Sequence, residues 1–553
     1  MVAYYCGIDL GTTNSTISVI DISRRSDDPI EKLTTIPIYQ YNQEFNAIDK
    51  GKTLLPSFLY FQVEKKNVYT GYYAKSVYAQ GDRPMQTVTA VKTRIGGESS
   101  VTIPGYNNKN VEDSFDMTQC SAFLLKTIMQ SFKEQYGEEI GNVVITVPAA
   151  FNTDEREATI NAALLAGFKN PKILDEPTAT LLYYINGGES SINDLGTDTS
   201  YDGKYIMVYD LGGGTLDVCI AKIDKNEDGD AEIDIVSRSP RKDLGGNDFD
   251  QLLGAYFLSE WEKARESIEN RSISDQNTII SRIVSKAEEY KIELNEKILD
   301  KMDNPRMLQR VKSEAVFEVM SGMKVDTSVN KAILDEVFLS LTDPTGELLD
   351  PVIHCLSESN LNPEDISMIV LTGGMTKYYA VKETLVELFG NGVSIIEVDA
   401  ENSVSKGAAI HCYNEAGNQK LIKIQINDRM ADDVFIKIEN QFEKLIPREC
   451  SVGSGEFDYI IPEDRMLKIP VFLYHGLNES EPAEFTPISG KYIYLDKAVP
   501  KGSTIKLKWV LDENKVINIT LAELNESLEI SKNNRLSDEE IKNDIVQTYT
   551  VNP

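Results

Sequence analysis

Several absences narrow the possibilities for this 553-residue chain. It has no basic surplus: 56 Lys and Arg stand against 87 Asp and Glu, a net charge of -31. Phosphate-backbone binding relies on clustered cations, so nucleic acid is excluded as the main ligand. It has no apolar run near the ~20 residues that cross a bilayer. The first residues turn polar by Asp9, so neither a membrane span nor a secretory signal is expected. It has no paired cysteines: Cys6, Cys120, Cys219, Cys355, Cys412 and Cys450 are scattered without a C-x-x-C spacing, as free thiols in a reducing compartment are. His354-Cys355 and His411-Cys412 bring histidine beside cysteine twice. Neighbours on a helix point about 100° apart and chelate one metal poorly, so both pairs read as ordinary helix residues. Two nucleotide signatures are also missing, the P-loop G-x-x-x-x-G-K-[ST] and a G-x-G-x-x-G that opens a helix after a strand.

What is present is a folded-protein composition, 41% apolar and 26% charged, with length for several cores. Up to about Ala416, short β-rich runs alternate with long amphipathic helices. "NVVITVPAAF" is a strand stopped by Pro148, "DEREATINAALLAGF" a helix ending at Gly167, "SMIVLTGG" a buried strand and "YYAVKETLVELFG" the helix after it. Such alternation implies α/β layers with mostly parallel central strands. "NGGESSINDLGTDTSYDGK" is a polar surface loop. From Leu421 to Ile530 short strands take over, among them "LIKIQIN", "DVFIKIE", "LKIPVFLY", "TIKLKWVL" and "VINITLAEL"; this is a small all-β domain. The tail "LSDEEIKNDIVQTY" returns to helix behind a Ser537/Glu540 capping box. It is expected to shield the side of the β domain.

The chemistry lies in two turns. "YYCGIDLGTTNSTISVI" and "IMVYDLGGGTLDVCI" each run from an apolar strand into Asp, Leu and Gly, then on to threonine and a second apolar run. A parallel strand delivers its last residue to the carboxyl edge of the sheet, where open α/β proteins bind ligands. A carboxylate there can hold a hydrated Mg²⁺ when phosphates supply the remaining ligands. Glycines let backbone N–H groups approach a phosphate, and threonine hydroxyls add donors. Two such turns, face to face, would grip a nucleotide from both sides.

The duplicated D-L-G-x-T turns resemble those of the actin-like ATPase superfamily, which includes sugar and acetate kinases: two lobes from a duplication, with ATP between them. A narrower resemblance comes from "QTVTAVKTRIGG", "VVITVPAAFNTDEREAT", "ILDEPTATLLYY", "VYDLGGGTLDV", "DLGGNDFDQLL", "EEYKIELN" and "MIVLTGGMTK", in this order. Together they resemble the heat-shock-seventy (DnaK-like) chaperone family. "FEKLIPRECSV", "LKIPVFLYHGLNE" and "LDENKVINITLAEL" are similar to that family's substrate-binding β-sandwich.

The resemblance implies an α/β fold, a two-lobed actin-like ATPase domain over residues 1–416. A linker over 417–428, a β-sandwich over 429–532 and a short helical lid remnant over 533–553 would follow. It implies a cytoplasmic ATPase that controls binding of unfolded or extended apolar polypeptides, with a J-domain co-chaperone and a nucleotide exchange factor as partners. Its cofactors would be ATP/ADP and Mg²⁺. Asp9 and Asp210 would hold Mg²⁺ through water. Gly11, Thr12, Thr13 and Asn14 would bind phosphates from one lobe, and Gly212, Gly213, Gly214 and Thr215 from the other. Lys92 would position the attacking water, and Glu176 would link nucleotide to domain rotation. Glu288, Lys291, Ile292 and Asn295 would form one wall for the adenosine. Gly373, Gly374, Met375, Lys377 and Glu401 would form the other.

The chain departs from the family pattern in places. Met375 and Glu401 replace a serine and an aspartate beside the adenine. Ile160 replaces a lysine that works with Pro148 and Arg156. The linker offers only Leu421, Ile422, Ile424 and Ile426, and the helical lid is nearly absent. Two alternatives stand beside the chaperone reading: a small-molecule kinase of the same superfamily, and a non-cycling ATP-binding scaffold or co-chaperone.

Overall fold

The computed structural model describes residues 4–24, 30–43, 46–97, 99–108, 110–186, 202–225, 231–240, 242–260, 268–342, 347–416, 425–427, 433–439, 441–448, 450–476, 486–522 and 535–552. Most of the polar loop after Asn186, and Leu421, Ile422 and Ile424 of the linker, lie outside them.

The chain builds one sheet pattern twice. In the first sheet, Tyr4–Asp9 forms a hairpin with Asn14–Asp21, which pairs onward with Leu33–Thr35. On its other side Tyr4–Asp9 runs parallel to Asn142–Val147, and that strand runs parallel to Pro171–Asp175. In the second, Lys204–Leu211 forms a hairpin with Leu216–Lys225, which pairs onward with Ala231–Arg238. Its other side runs parallel to Ile366–Thr372 and then Ser394–Glu397. Both central strands are continuous apolar runs because helices cover both faces of each sheet.

The helices follow local signals. Thr153–Ala166 opens on a capping box, Asn152 with Glu155, and closes on Gly167 at φ 105°. Ser403–Glu415 carries small residues because it wedges between the halves. A Cβ on Gly7 would meet the Ala409 nitrogen at 2.2 Å, and one on Gly407 the Ala179 oxygen at 1.7 Å. The core around this helix joins both sheets, with Tyr5, Ile20 and Val144 from one and Ile206, Val208 and Val370 from the other. Five of the six cysteines are buried and all six are free thiols. Among the described residues no helix is long and apolar enough to cross a membrane.

Among the described residues, seven strands form the β-rich part. One sheet orders Gln441–Ile446, Asp433–Ile438, Met466–Gly476 and Thr486–Val499; the other orders Gly453–Ile460, Thr504–Leu511 and Ile517–Leu521. Their shared core includes Val434, Ile436, Tyr459, Leu473 and Leu507.

Two segments depart from the sequence expectation. Of "LIKIQIN", Gln425–Asn427 joins no β-rich sheet; it pairs in parallel with Ala231–Arg238 and extends the second α/β sheet. The tail helix covers only Asp538–Asn543, although its Ser537/Glu540 capping box is present. Asp544 leaves the helical region at ψ 145° and caps a short 3-10 turn, Ile545–Thr548. Thr550–Asn552 then adds a strand parallel to Asn67–Thr70 in the first half. Val546, Tyr549 and Val551 are buried in the first half's core, where the Tyr549 ring meets Phe61, Phe115 and Phe123. These contacts pack the end of the tail on the first half, while Arg535 at its start pairs with Asp512 of the β-rich part at 2.9 Å.

The β-rich part also sits against the first half. The Ile173 amide donates to Asn514 Oδ1 at 3.0 Å, and the Ile517 amide to Thr153 Oγ1 at 2.7 Å. Lys491 pairs with Asp154 at 2.8 Å and Glu157 at 3.0 Å.

Candidate functional site

The strand hairpins place both turns at the carboxyl ends of the parallel strands, with Asp9 opposite Thr146 and Asp210 opposite Thr372. They face each other across a cleft of about 990 Å³. Contact between them is direct: a Cβ on Gly213 would meet Thr13 Oγ1 at 1.7 Å, and one on Gly214 would meet Thr12 Cγ2 at 2.9 Å. The second turn is held from behind by the helix Gly246–Ser259, whose first amides donate to the Gly212 and Gly213 carbonyls. Ser57 Oγ donates to the Gly11 carbonyl at 2.7 Å and braces the first.

The floor of the cleft is acidic and buried. The Lys92 ammonium donates to the Glu176 carboxylate, each side chain 7% exposed. Burial pushes the Asp9 carboxyl up to about 7, with Lys92 pulling it down, Glu176 pushing it up and a Thr146 hydrogen bond lowering it. Burial, then Glu176, Asp217 and Asp9, hold Asp210 well above the usual carboxylate range. Asp217 is pushed up to about 7 by burial and then by Glu176. Burial lowers the Lys92 pKa, but Glu176 and Asp9 outweigh it and the net shift is upward. Thus Asp9, Glu176, Asp210 and Asp217 share one ammonium, an arrangement short of positive charge. Thr13 Oγ1 is buried with no hydrogen-bond partner. This donor set fits a hydrated cation with a polyanion. Among the described residues no three His, Cys, Asp or Glu side chains gather as a direct metal cage, at His354 and His411 or elsewhere.

The other end of the cleft is built from the long helix Ile273–Leu299 and the turn after Ile366–Thr372. Glu288 pairs with Lys75 at 2.7 Å and so ties the two halves together. Lys291 is buried, pairs with Asp250 at 2.8 Å and donates to the Gly246 carbonyl. The Asn295 amide donates to the Lys377 carbonyl and accepts from the Tyr379 N–H. Lys377 pairs with Glu401 at 2.7 Å. Gly373 turns the chain at φ 85°, where a Cβ would meet Asp210 Oδ1 at 2.5 Å. Met375 is buried and Ile292 is exposed.

Every residue that the sequence assigns to the nucleotide and Mg²⁺ lines this cleft except Gly214, which packs against Thr12 and Thr93. Ile160 is buried in the first half's core, away from the cleft lining. Sequence reasoning missed Asp217 and Asp250. A carboxylate between Leu216 and Val218, inside an apolar strand, was the available signal for the first. The second had none beyond its place one turn into a helix.

A family model described as Hsp70 protein matches residues 5–550. The chain is 28% identical over 550 residues to the chaperone protein DnaK of Thermosipho africanus (strain TCF52B), covering 97% of this chain and 81% of that protein. It is 27% identical over 555 residues to the chaperone protein DnaK of Thermotoga neapolitana, covering 98% and 82%. With its two facing turns inside a match of nearly the full length, this chain belongs to the Hsp70 family.

Proposed function

We propose that this chain is an ATP-hydrolysing chaperone of the cytoplasm, in which residues 1–416 form a two-lobed actin-like ATPase domain. In this reading 417–428 link it to a β-sandwich, 429–532, that binds unfolded or extended apolar polypeptides, and 533–553 form the tail. The observation that carries the reading is the pair of facing turns with the buried Lys92–Glu176 pair between them.

Phosphoryl transfer to water needs positioning and charge stabilisation more than a nucleophilic side chain. Asp9 and Asp210 would hold a hydrated Mg²⁺ through its waters, and that ion would supply the charge that a site with four carboxylates and one ammonium lacks. Mg²⁺, when bound, neutralises the phosphate oxygens. Thr13, with its unpartnered hydroxyl, and Thr215 donate to phosphate oxygens, as do the amides of Gly11, Thr12 and Asn14 and those of Gly212 to Gly214. Lys92 polarises the attacking water and Glu176 fixes its ammonium. Glu288, Lys291, Ile292 and Asn295 hold the adenosine against Gly373, Gly374, Met375, Lys377 and Glu401. A J-domain co-chaperone and an exchange factor are the partners this reading calls for.

Single-turnover hydrolysis of ATP with no acceptor tests the assignment: release of phosphate to water supports it, and turnover only with an added hydroxylated acceptor replaces it with a kinase. A second reading, a scaffold that binds ATP without cycling, is favoured by the tail strand that anchors to the first half. Dissociation of a fluorescent apolar peptide, in ADP and in ATP, separates the two. The chaperone reading expects fast exchange in both states, because the tail is packed elsewhere; the scaffold reading expects no peptide binding.

A further inference from the structure

The two ends of the cleft differ in what their polar groups have left to offer a ligand. The phosphate end presents amides, carboxylates and hydroxyls, among them the unpartnered Thr13 hydroxyl. Next to it, two ion pairs hold charge in place: Lys291 on Asp250 at 2.8 Å and Glu288 on Lys75 at 2.7 Å. A Cβ on Gly246 would meet Lys291 Nζ at 3.2 Å and Met375 Sδ at 3.8 Å. The charged lining thus gives way to a thioether between these two atoms.

Beyond Met375 the buried polar side chains are already hydrogen-bonded to the protein itself. Asn295, 9% exposed, carries the group best suited to reading a base, since an amide offers both a donor and an acceptor. Its Nδ2 donates to the Lys377 carbonyl at 2.9 Å, and its Oδ1 accepts from the Tyr379 N–H at 3.0 Å. Both ends of the amide are engaged, and they brace the turn after Ile366–Thr372 against the long helix. Thr376 Oγ1 donates to the Gly373 carbonyl at 2.6 Å. The Tyr378 and Tyr379 hydroxyls donate to the Leu334 carbonyl and the Asp335 carboxylate. Of the charged side chains, Lys377 pairs with Glu401 and Lys382 with Glu397. Glu296 and Glu383 stand exposed at the rim, where water competes for their oxygens. The walls between are apolar: Ile292, Leu299, Met302, Met375 and Val386. Ile292 is 50% exposed and Leu299 46%, so this end opens to solvent.

We propose that the site selects its nucleotide by triphosphate and sugar and not by base, accepting GTP and other purine nucleoside triphosphates alongside ATP. The inference rests on the nucleotide reading above and widens the substrate class of that site. A wrong base is rejected by ~10⁴-fold or more only where it leaves a buried polar group of the site unpaired. Here no such group is left waiting among the described residues, because the Asn295 amide is satisfied without a ligand. Apolar walls alone separate analogues by about two orders of magnitude at most. An open mouth narrows even that, since the polar edge of either base keeps its water.

The test measures affinity for Mg²⁺ nucleotides by calorimetry on the full chain, with single-turnover hydrolysis beside it. Adenine presents an amino donor where guanine and hypoxanthine present a carbonyl acceptor. GTP and inosine triphosphate should nevertheless bind within about tenfold of ATP. CTP, with less apolar face to bury, should bind several-fold more weakly than any purine. Met375→Ala thins the wall and should weaken ATP and GTP by one common factor, about three- to tenfold. Asn295→Ala, which removes a brace and not a reader, should likewise leave the ratio of the two affinities within about twofold. A larger preference of the wild-type protein for ATP, or a ratio that moves further in either variant, overturns the proposal. Equal binding without turnover of either nucleotide supports the base-blind site and assigns it to the scaffold reading. Binding of neither removes the nucleotide reading itself, and this proposal falls with it.

Discussion

Where the first turn carries side chains, Thr12, Thr13 and Asn14, the second carries none, Gly212, Gly213 and Gly214. The structure gives the reason, since the threonines of one occupy the space that side chains of the other would need. A symmetric duplication of either version would fail: two threonine turns collide, and two glycine turns leave a gap and lose the hydroxyl donors. The carboxylates differ as well. Burial raises both carboxyls and Lys92 pulls both down; Asp9 has a Thr146 hydrogen bond besides and only Glu176 against it, whereas Asp210 is raised by Glu176, Asp217 and Asp9.

The largest expected effect comes from the ammonium that serves both turns. Lys92→Ala should slow single-turnover hydrolysis by roughly 10²-fold or more while ATP binding stays nearly intact; wild-type speed removes Lys92 from the chemistry. Gly213→Ala tests the interlock. Its methyl group would push Thr13 out of place, so nucleotide affinity should fall about tenfold or more by calorimetry. Adding Thr13→Ser, which trims the neighbour, should recover less than half of that loss because the hydroxyl remains the closest atom.

A smaller effect concerns pH. Asp9 and Asp217, pushed up to about 7 from 3.8, keep protons in the folded protein that the unfolded chain has already released. Stability without ligand should therefore fall as pH rises from about 4 to about 7. In melting curves the drop should amount to a few degrees, Mg²⁺–ATP should flatten it, and Asp217→Asn should shrink it. A rise over that window would contradict the burial of these groups. Thr215→Val should act most mildly, slowing hydrolysis a few-fold, because the amides of Gly212 to Gly214 still hold the phosphate. A loss as large as that of Lys92→Ala would place the reacting group at Thr215.

What was legible from sequence is what repeats or alternates nearby. The two D-L-G-x-T turns, the strand Asn142–Val147 before Pro148 and the helix Thr153–Ala166 ending at Gly167 are all written in local spacing and capping. Strands such as Thr486–Val499, interrupted by Pro487 and Gly490, lack clean alternation and went unmarked. Long-range partnerships were invisible. Nothing near Lys515 marks it as the partner of Asp175, 340 residues away. The tail's apolar residues at 541, 545, 546 and 549 mimic a helical stripe until the phenylalanines that receive Tyr549 are in view. Of the linker, Ile426 pairs opposite Ile233, a register that no local pattern specifies.

That strand and the tail strand have a mechanical consequence. Gln425–Asn427 ends on the edge of the second half's sheet, and Thr550–Asn552 on the edge of a sheet in the first. The β-rich part lies between these two anchors, one on each half. An object held at two points keeps one easy rotation, about the line that joins them, and loses the freedom to drift away. Parting the β-rich part from the first half would cost its Asn514, Lys515, Ile517 and Lys491 contacts while both strand anchors stay in place. Its return is an intramolecular event at millimolar effective concentration, so contacts too weak to hold two separate molecules are enough to close it.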